Sequence, residues 1–233
     1  MMLERLRRDI SAVRERDPAV RGLLEILLAY PGFHALQLHR IAHFLWRHRL
    51  FLAARFLSHV TRFFTGVEIH PGAVIGSGVF IDHGMAVVIG ETTIIQDDVT
   101  LYAGVVLGGT GKEKGKRHPT IERGVVVASG AKVLGSFTVG ENSRIGAGAV
   151  VLRSVPPNST VVGVPGRVVV QDGQRVDSLN HHQVPDPIDR YVRCLQEQIS
   201  ELQQQVGELQ ERLDAEADQK KTDKDSDDLA HTG

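Results

Sequence analysis

Two histidines stand where this chain breaks its own rhythm. His83 lies in Ile81-Asp82-His83-Gly84, and His118 lies in Arg117-His118-Pro119, near the end of the stretch GVVLGGTGKEKGKRHPTI, residues 104–121. Imidazole titrates near neutral pH, so a positioned histidine can move a proton or ligate a metal. The stretch before His118 is glycine-rich and basic, and it invites comparison with a phosphate-cradling loop, in which GxxxxGK precedes Ser or Thr. Lys116 does follow Gly115, but Thr110 stands where the first glycine is needed and Arg117 where the magnesium-binding hydroxyl belongs. The nucleotide reading fails at both ends. Such a loop can still bind anionic groups through backbone amides and through Lys112, Lys114, Lys116 and Arg117. The competing reading is a solvated surface loop with no role.

The rhythm that these histidines interrupt is a hexapeptide. Aliphatic residues recur at Ile69, Ile75 and Ile81, then at Ile89, Ile95, Leu101 and Leu107, then at Ile121, Val127, Val133, Val139, Ile145 and Val151. Every step is six except Ile81 to Ile89, which is eight, and Leu107 to Ile121, which is fourteen. A helix needs a period near 3.6, and a meander needs hairpin turns, so this period predicts a parallel β-helix with one short strand and one corner per hexad. Glycines follow the aliphatic residue or sit three after it, where they permit the corner conformations. The fourteen-residue step is either two hexads plus two or an excursion of the basic loop. Solenoids carry their insertions where they bind things, and both irregular steps hold a histidine.

Of the 24 glycines, 19 fall between Gly66 and Gly166, which sets the boundaries of this repeat. The expected order is an α-helical domain over 1–65, the hexapeptide domain over 66–170, a linker over 171–187, a coiled-coil helix over 188–214 and a disordered tail over 215–233. In the first part Asp17 precedes Pro18, an N-cap pattern that predicts a helix through Val20, Leu23, Leu24, Leu27 and Leu28 until Pro31-Gly32. Further helices are expected from Phe33 to about His48 and from Leu50 to Phe64. His34, His39, His43 and His48 drift around such a helix and read as packed or solvated side chains, not as a metal site. In the last part Ile188, Val192, Leu195, Ile199, Leu202, Val206, Leu209 and Leu213 alternate spacings of four and three, a coiled-coil seam. Its alternative is a single amphipathic helix packed back on the repeat.

Composition narrows the class. With 233 residues, 42% of them hydrophobic, and a net charge of -1, the chain can bury a core and shows no overall bias toward nucleic acid or a membrane. There is neither a signal peptide pattern nor an uncharged run long enough to span a bilayer. The single cysteine, Cys194, excludes an intramolecular disulfide framework and fits a reducing, cytoplasmic location.

The stretches TGVEIHPGAVIGSGVFIDHG, LGGTGKEKGKRHP, GAKVLGSFTVGENSRIGAGAVVL and VGVPGRVV together resemble the bacterial serine O-acetyltransferases, from about Asp17 to Val169. Hexapeptide repeats alone indicate a large superfamily, many of them acyltransferases, whereas IDHG, GGTGK and RHP at these distances are far more specific. The RDPAV segment and its helices resemble the same family. The fold implied is mainly β with α: a left-handed parallel β-helix, preceded by the α-helical domain and followed by the coiled-coil tail. The reaction implied is transfer of an acetyl group from acetyl-CoA, a co-substrate and not a bound cofactor, to the hydroxyl of L-serine for cysteine biosynthesis.

The resemblance also implies roles. His83 is the general base and Glu68 the carboxylate that orients its ring, although many longer relatives have Asp at the Glu68 position. His118 and Arg117 hold the serine carboxylate and help the chemistry, while Asp82 and Asp17 bind the serine amino group. Gly108, Gly109, Thr110, Gly111, Lys112, Lys116, Ser129, Arg144 and Ala147 are the CoA-binding candidates, with the amides of Gly108 and Gly109 placed to meet an oxyanion. L-cysteine, carrying the same amine and carboxylate as serine, is the expected feedback inhibitor. The expected assembly is a homotrimer or a dimer of trimers, with His83 and His118 approaching from adjacent chains, although valine and isoleucine at a with leucine at d in the tail is a dimer pattern. A complex with cysteine synthase is not expected, because this chain ends at Gly233 after an acidic tail and not in isoleucine.

Three other readings remain open. An acetyltransferase for a sugar hydroxyl would not need Asp17, Asp82 and Arg117 together. A zinc carbonic anhydrase of the β-helix type needs three imidazoles, for which His70, His83 and His118 are the ones available in the repeat. A non-catalytic scaffold would use the tail to recruit partners and would not turn over acetyl-CoA.

Overall fold

The computed structural model describes residues 2–111, 114–176 and 198–206. Four helices come first: α1 (Met2–Arg16), α2 (Leu23–Ala29), α3 (Pro31–Arg47) and α4 (Phe51–Thr65). On α1, Leu6, Ile10 and Val13 recur at helical spacing and pack with Ile26 of α2, Phe33 of α3 and Phe80. The Asp17-Pro18 pair does not open a helix. Asp17 Oδ1 accepts the Ala19 N–H at 2.8 Å, which closes a turn through Pro18, and Tyr30 Oη donates to Asp17 Oδ2 at 2.6 Å. With both carboxylate oxygens engaged there, α2 starts five residues later than the N-cap pattern predicts, after Gly22 in extended backbone. Pro31 ends α2 and opens α3, since its ring fixes the torsion that a first helical residue needs.

The repeat forms thirteen strands, one for each aliphatic residue of the period. The first coil is β1 (Glu68–Ile69), β2 (Val74–Ile75) and β3 (Phe80–Ile81), and the second is β4 (Val88–Ile89), β5 (Ile94–Ile95) and β6 (Thr100–Leu101). The third is β7 (Val106–Gly108), β8 (Thr120–Ile121) and β9 (Val126–Val127), and the fourth is β10 (Lys132–Leu134), β11 (Thr138–Val139) and β12 (Arg144–Ile145), after which β13 (Val150–Val151) begins a fifth. Each strand pairs in parallel with its counterpart one coil away, giving three sheets: β1-β4-β7-β10-β13, β2-β5-β8-β11 and β3-β6-β9-β12. The third sheet continues through β14 (Ser159–Val162) into two antiparallel strands, β15 (Arg167–Gln171) and β16 (Gln174–Arg175). Those last strands extend regular structure into residues expected to begin a linker.

Two residues per hexad face inward. The aliphatic residues of the period are buried, apart from the half-buried Ile75, and so are most residues two positions before them: Val67, Ala73, Val79, Val87, Thr93, Val99, Val105, Val125, Ala131, Ser143 and Ala149. One inward residue ends a strand and the other turns a corner, so the narrow interior fills at every level. Ile95 and Ile121 lie in consecutive strands of one sheet, and Leu107 and Ile89 in consecutive strands of another. The fourteen-residue step is therefore one hexad plus an excursion, and the basic loop lies wholly between β7 and β8.

The helices are pinned to the coils. Asp9, buried in α1, accepts the Gly78 N–H at 2.9 Å and the Gln37 Nε2 at 2.9 Å and pairs with Arg40 of α3. Arg8 reaches Asp97 and Asp98 at 3.0 Å. At the start of α3 a β-carbon on Gly32 would lie 2.1 Å from the Ile81 carbonyl oxygen, so only glycine lets the helix end press against the end of β3. Among the described residues no helix is long and apolar enough to cross a membrane. Of the expected coiled coil, residues 198–206 are helical, with Ile199, Leu202 and Val206 exposed. The rest of that seam, Cys194 and the tail over 215–233 lie outside the described residues.

Candidate active site

His83 occupies the corner between β3 and β4, where the third sheet passes into the first. The two extra residues of that step let the corner bulge: His83, Gly84 and Ala86 all have left-handed backbone, with φ of 61°, 72° and 60°. A histidine held there carries a conformational cost that the bonds of the corner to Gly66 beneath it and Gly104 above it must offset. The bulge turns the imidazole outward, 81% exposed, with Nδ1 2.7 Å from Asp82 Oδ1. A carboxylate oxygen only accepts, so Nδ1 donates and Nε2 presents a lone pair to solvent. That hydrogen bond, followed by the charge of Asp82 and of Asp17, raises the His83 pKa above the ordinary histidine value. Asp17 is held beside this corner by Tyr30, whose hydrogen bond keeps the Asp17 carboxyl below the usual range. Burial and the bond to Asp17 push the Tyr30 phenol up to about 12.

His118 occupies a different corner, between β7 and β8, where the first sheet passes into the second. The excursion folds back onto the coil beneath it and closes on Thr92. Thr92 Oγ1 accepts the N–H groups of Arg117 at 3.0 Å and His118 at 3.1 Å, and Lys116 Nζ donates to the carbonyls of Thr92 at 2.8 Å and His118 at 2.6 Å. The Arg117 guanidinium pairs with Glu91, which holds that carboxyl below its usual range. The His118 ring is buried against Gly90, where a β-carbon would lie 2.0 Å from ring atoms. Burial, then the neighbouring Arg117, lowers the His118 pKa. His70 lies in the same corner two coils below, edge-on to Trp46 with ring centroids 4.9 Å apart, and burial pulls its pKa down to about 4.

The remaining candidates divide between these corners. Gly108 ends β7, and a β-carbon on Gly109 would lie 3.3 Å from His118 Nε2, so this backbone borders the ring. Thr110 and Gly111 follow, exposed, and Lys112 lies outside the described residues. Ser129 and Ala147 are exposed in the stack of corners above His83, where the N–H groups of Gly104, Gly130 and Gly148 bond to Met85, Ala103 and Ser129 one coil below. Arg144 is exposed on β12, the strand that precedes the last corner of this stack. Glu68 is on β1 with its carboxylate 2.7 Å from Arg62 Nη1, so the carboxylate meeting the His83 ring in this structure is that of Asp82. Within one chain, then, Asp17, Asp82 and His83 come together, and Arg117, Lys116 and His118 come together, at separate corners. Among the described residues no group of three His, Cys, Asp or Glu side chains could hold a metal ion.

This helix-then-repeat arrangement has close counterparts. Residues 1–38 match the N-terminal family of serine acetyltransferases, and residues 118–153 match the bacterial transferase hexapeptide family of six repeats. The serine acetyltransferase of Bacillus subtilis (strain 168) is 58% identical over 203 residues, covering 87% of this chain and 94% of the relative. The chain belongs to the serine acetyltransferase family. A crystal structure of the Brucella abortus serine acetyltransferase in complex with coenzyme A superposes with a TM-score of 0.72 at 46% identity, covering 73% of this chain and 68% of that one. A serine acetyltransferase in complex with cysteine gives 0.71 at 46% identity, covering 72% and 70%. As a serine acetyltransferase, the chain transfers an acetyl group to serine with acetyl-CoA as co-substrate.

Three residues of these corners escape the sequence reading. Tyr30 looks like the residue before a helix-ending Pro31-Gly32, and nothing local announces its bond to Asp17. Glu91 and Thr92 look like ordinary corner residues, and their importance comes from the excursion that returns to them twenty-five residues later. A usable signal exists for Thr92: it stands in the corner one coil beneath the longest interruption of the period.

Proposed function

We propose that this chain acetylates L-serine by direct attack, with His83 as the general base, in a site completed by two chains. The observation that carries the reading is the outward-facing His83 with Nδ1 bonded to Asp82 and Nε2 open, beside Asp17. The ammonium of serine is met by Asp17 and Asp82 and its carboxylate by Arg117, while His118 faces the reacting group and helps the chemistry. As the serine oxygen attacks the thioester carbonyl carbon, its proton passes to His83 Nε2. The new C–O bond forms, the C–S bond breaks, and the imidazolium returns the proton to the departing CoA thiolate. The amides of Gly108 and Gly109 face the oxygen that gains charge, and Ser129, Arg144 and Ala147 line the path for the CoA arm, with Thr110, Gly111 and Lys116 as its further contacts.

The two half-sites belong to different corners of the triangular β-helix. A three-fold axis parallel to the β-helix sets one corner of each chain against a different corner of its neighbour, which is how His83 and His118 meet across a homotrimer. Cysteine presents the same amine and carboxylate and competes for these groups, in keeping with the relative whose structure contains cysteine. The test is CoA release from acetyl-CoA with L-serine, D-serine or a galactoside, repeated with His83→Ala. Turnover specific to L-serine that falls by about 10²-fold or more in the variant supports a general base. Turnover with the galactoside moves the reaction to a sugar acceptor.

A further inference from the structure

The hydrogen bonds around Thr92 fix the state of the second histidine. The Thr92 hydroxyl oxygen accepts two backbone N–H groups, from Arg117 at 3.0 Å and from His118 at 3.1 Å, which uses both of its lone pairs. Its O–H must therefore donate, and the atom it meets is His118 Nδ1 at 2.9 Å. The Thr92 backbone N–H points at that same nitrogen from 3.2 Å. A ring nitrogen that receives two donors carries no hydrogen, so the neutral imidazole holds its proton on Nε2. That atom lies over Gly90 and borders Gly109. The charges around the ring are the cations Arg117 and Lys116 and the anion Glu91, with neutral His70 beyond them.

We propose that Thr92 is a positioning residue that locks His118 as the Nε2–H tautomer, so that His118 works as a neutral hydrogen-bond donor to the acetyl oxygen and not as a second base. The inference rests on the reading that His118 faces the reacting group in the assembled site. The division of labour follows from the two environments. At His83 a carboxylate accepts the hydrogen bond from Nδ1–H, which keeps the proton on Nδ1 and leaves Nε2 to accept. At His118 two donors occupy Nδ1 and oblige Nε2 to donate. Lys116 secures the arrangement by tying the carbonyls of Thr92 and His118 to one ammonium. A preorganised neutral donor of this kind stabilises charge that develops only in the transition state.

The test uses the whole chain with Thr92→Val, which removes the hydroxyl at nearly constant volume, and Thr92→Ser, which restores it. Histidine-ring 15N spectra report which nitrogen carries the proton, and His118→Ala assigns the resonance. Wild type and Thr92→Ser should show His118 protonated on Nε2, and Thr92→Val should lose that preference. On loss of an aligned donor, kcat should fall on the order of 10²-fold in Thr92→Val and recover in Thr92→Ser, with the KM for serine and for acetyl-CoA little changed. A merely structural role would lower the melting temperature without this split between kcat and KM. A proton found on Nδ1 in the wild type overturns the proposal, as does full kcat in Thr92→Val when His118→Ala has lost it. Full kcat in His118→Ala would instead remove the reading beneath it, whatever the tautomer.

Discussion

His83 Nδ1 and Asp82 Oδ1 are 2.7 Å apart, while the Glu68 carboxylate that the family resemblance assigns to the same ring is occupied by Arg62. Neighbours in sequence and in space, Asp82 and His83 share a single bulged corner, and in the proposed mechanism they are the orienting carboxylate and the base. Asp82→Asn should therefore lower kcat/KM for serine by about 10²-fold, on the scale of a misoriented general base, and Glu68→Gln should cost much less. Steady-state kinetics on both variants checks this ranking, and the reverse order would return the orienting role to Glu68.

The pH profile follows from the same bond. His83 must be neutral to accept a proton, and Asp82 raises its pKa, so activity should rise with pH through a value above that of an ordinary histidine. Removing the charge in Asp82→Asn removes the main cause of the shift, so the acid limb of kcat/KM should move to lower pH. A profile whose acid limb stays fixed would show that the titrating group is not His83.

Asp17 and the amino group of the substrate form the next expectation. Asp17→Asn should raise the KM for serine and weaken inhibition by cysteine in parallel, because both ligands present the same ammonium. The KM for acetyl-CoA should stay unchanged. Loss of serine affinity with cysteine inhibition intact would separate the two binding modes.

Gly90→Ala tests the packing beneath His118. A β-carbon there would lie 2.0 Å from the ring and must displace it. Activity should drop sharply while the β-helix persists in circular dichroism, since Gly90 lies at a corner and its change leaves the inward ladder intact. An active Gly90→Ala enzyme would argue against a fixed His118.

Asp9 tests how the helices are held. Its carboxylate is buried, and removing it leaves Arg40 uncompensated, so Asp9→Ala should destabilise the protein by roughly 3–5 kcal/mol, the usual cost of breaking a buried pair. Urea unfolding measures this directly, and a change below about 1 kcal/mol would class the pair with exposed ones.

Much of this architecture is legible because a β-helix repeats. Each of the thirteen aliphatic residues from Ile69 to Val151 lies in a strand, since one period fixes both inward direction and register. The second inward position, through Val67, Val79 and Val99, was equally periodic but masked by its mixture of valine, alanine, threonine and serine. Local patterns were weaker guides. Asp17-Pro18 reads as a helix cap because capping is judged from neighbours, whereas the structure uses Asp17 for a turn and for Tyr30, thirteen residues away. His83 and His118 stood out as interruptions. Their partners Tyr30, Glu91 and Thr92 did not, because each becomes a partner only when a distant segment folds back on it.

The central claim is that the His83 corner of one chain and the His118 corner of another make one site. Mixing His83→Ala and His118→Ala chains under conditions that exchange subunits tests it most directly. In a mixed trimer some interfaces pair an intact His83 with an intact His118, so serine acetylation should reappear although neither variant alone is active. Mixed assemblies that stay inactive, with exchange verified by mass, would contradict a shared site.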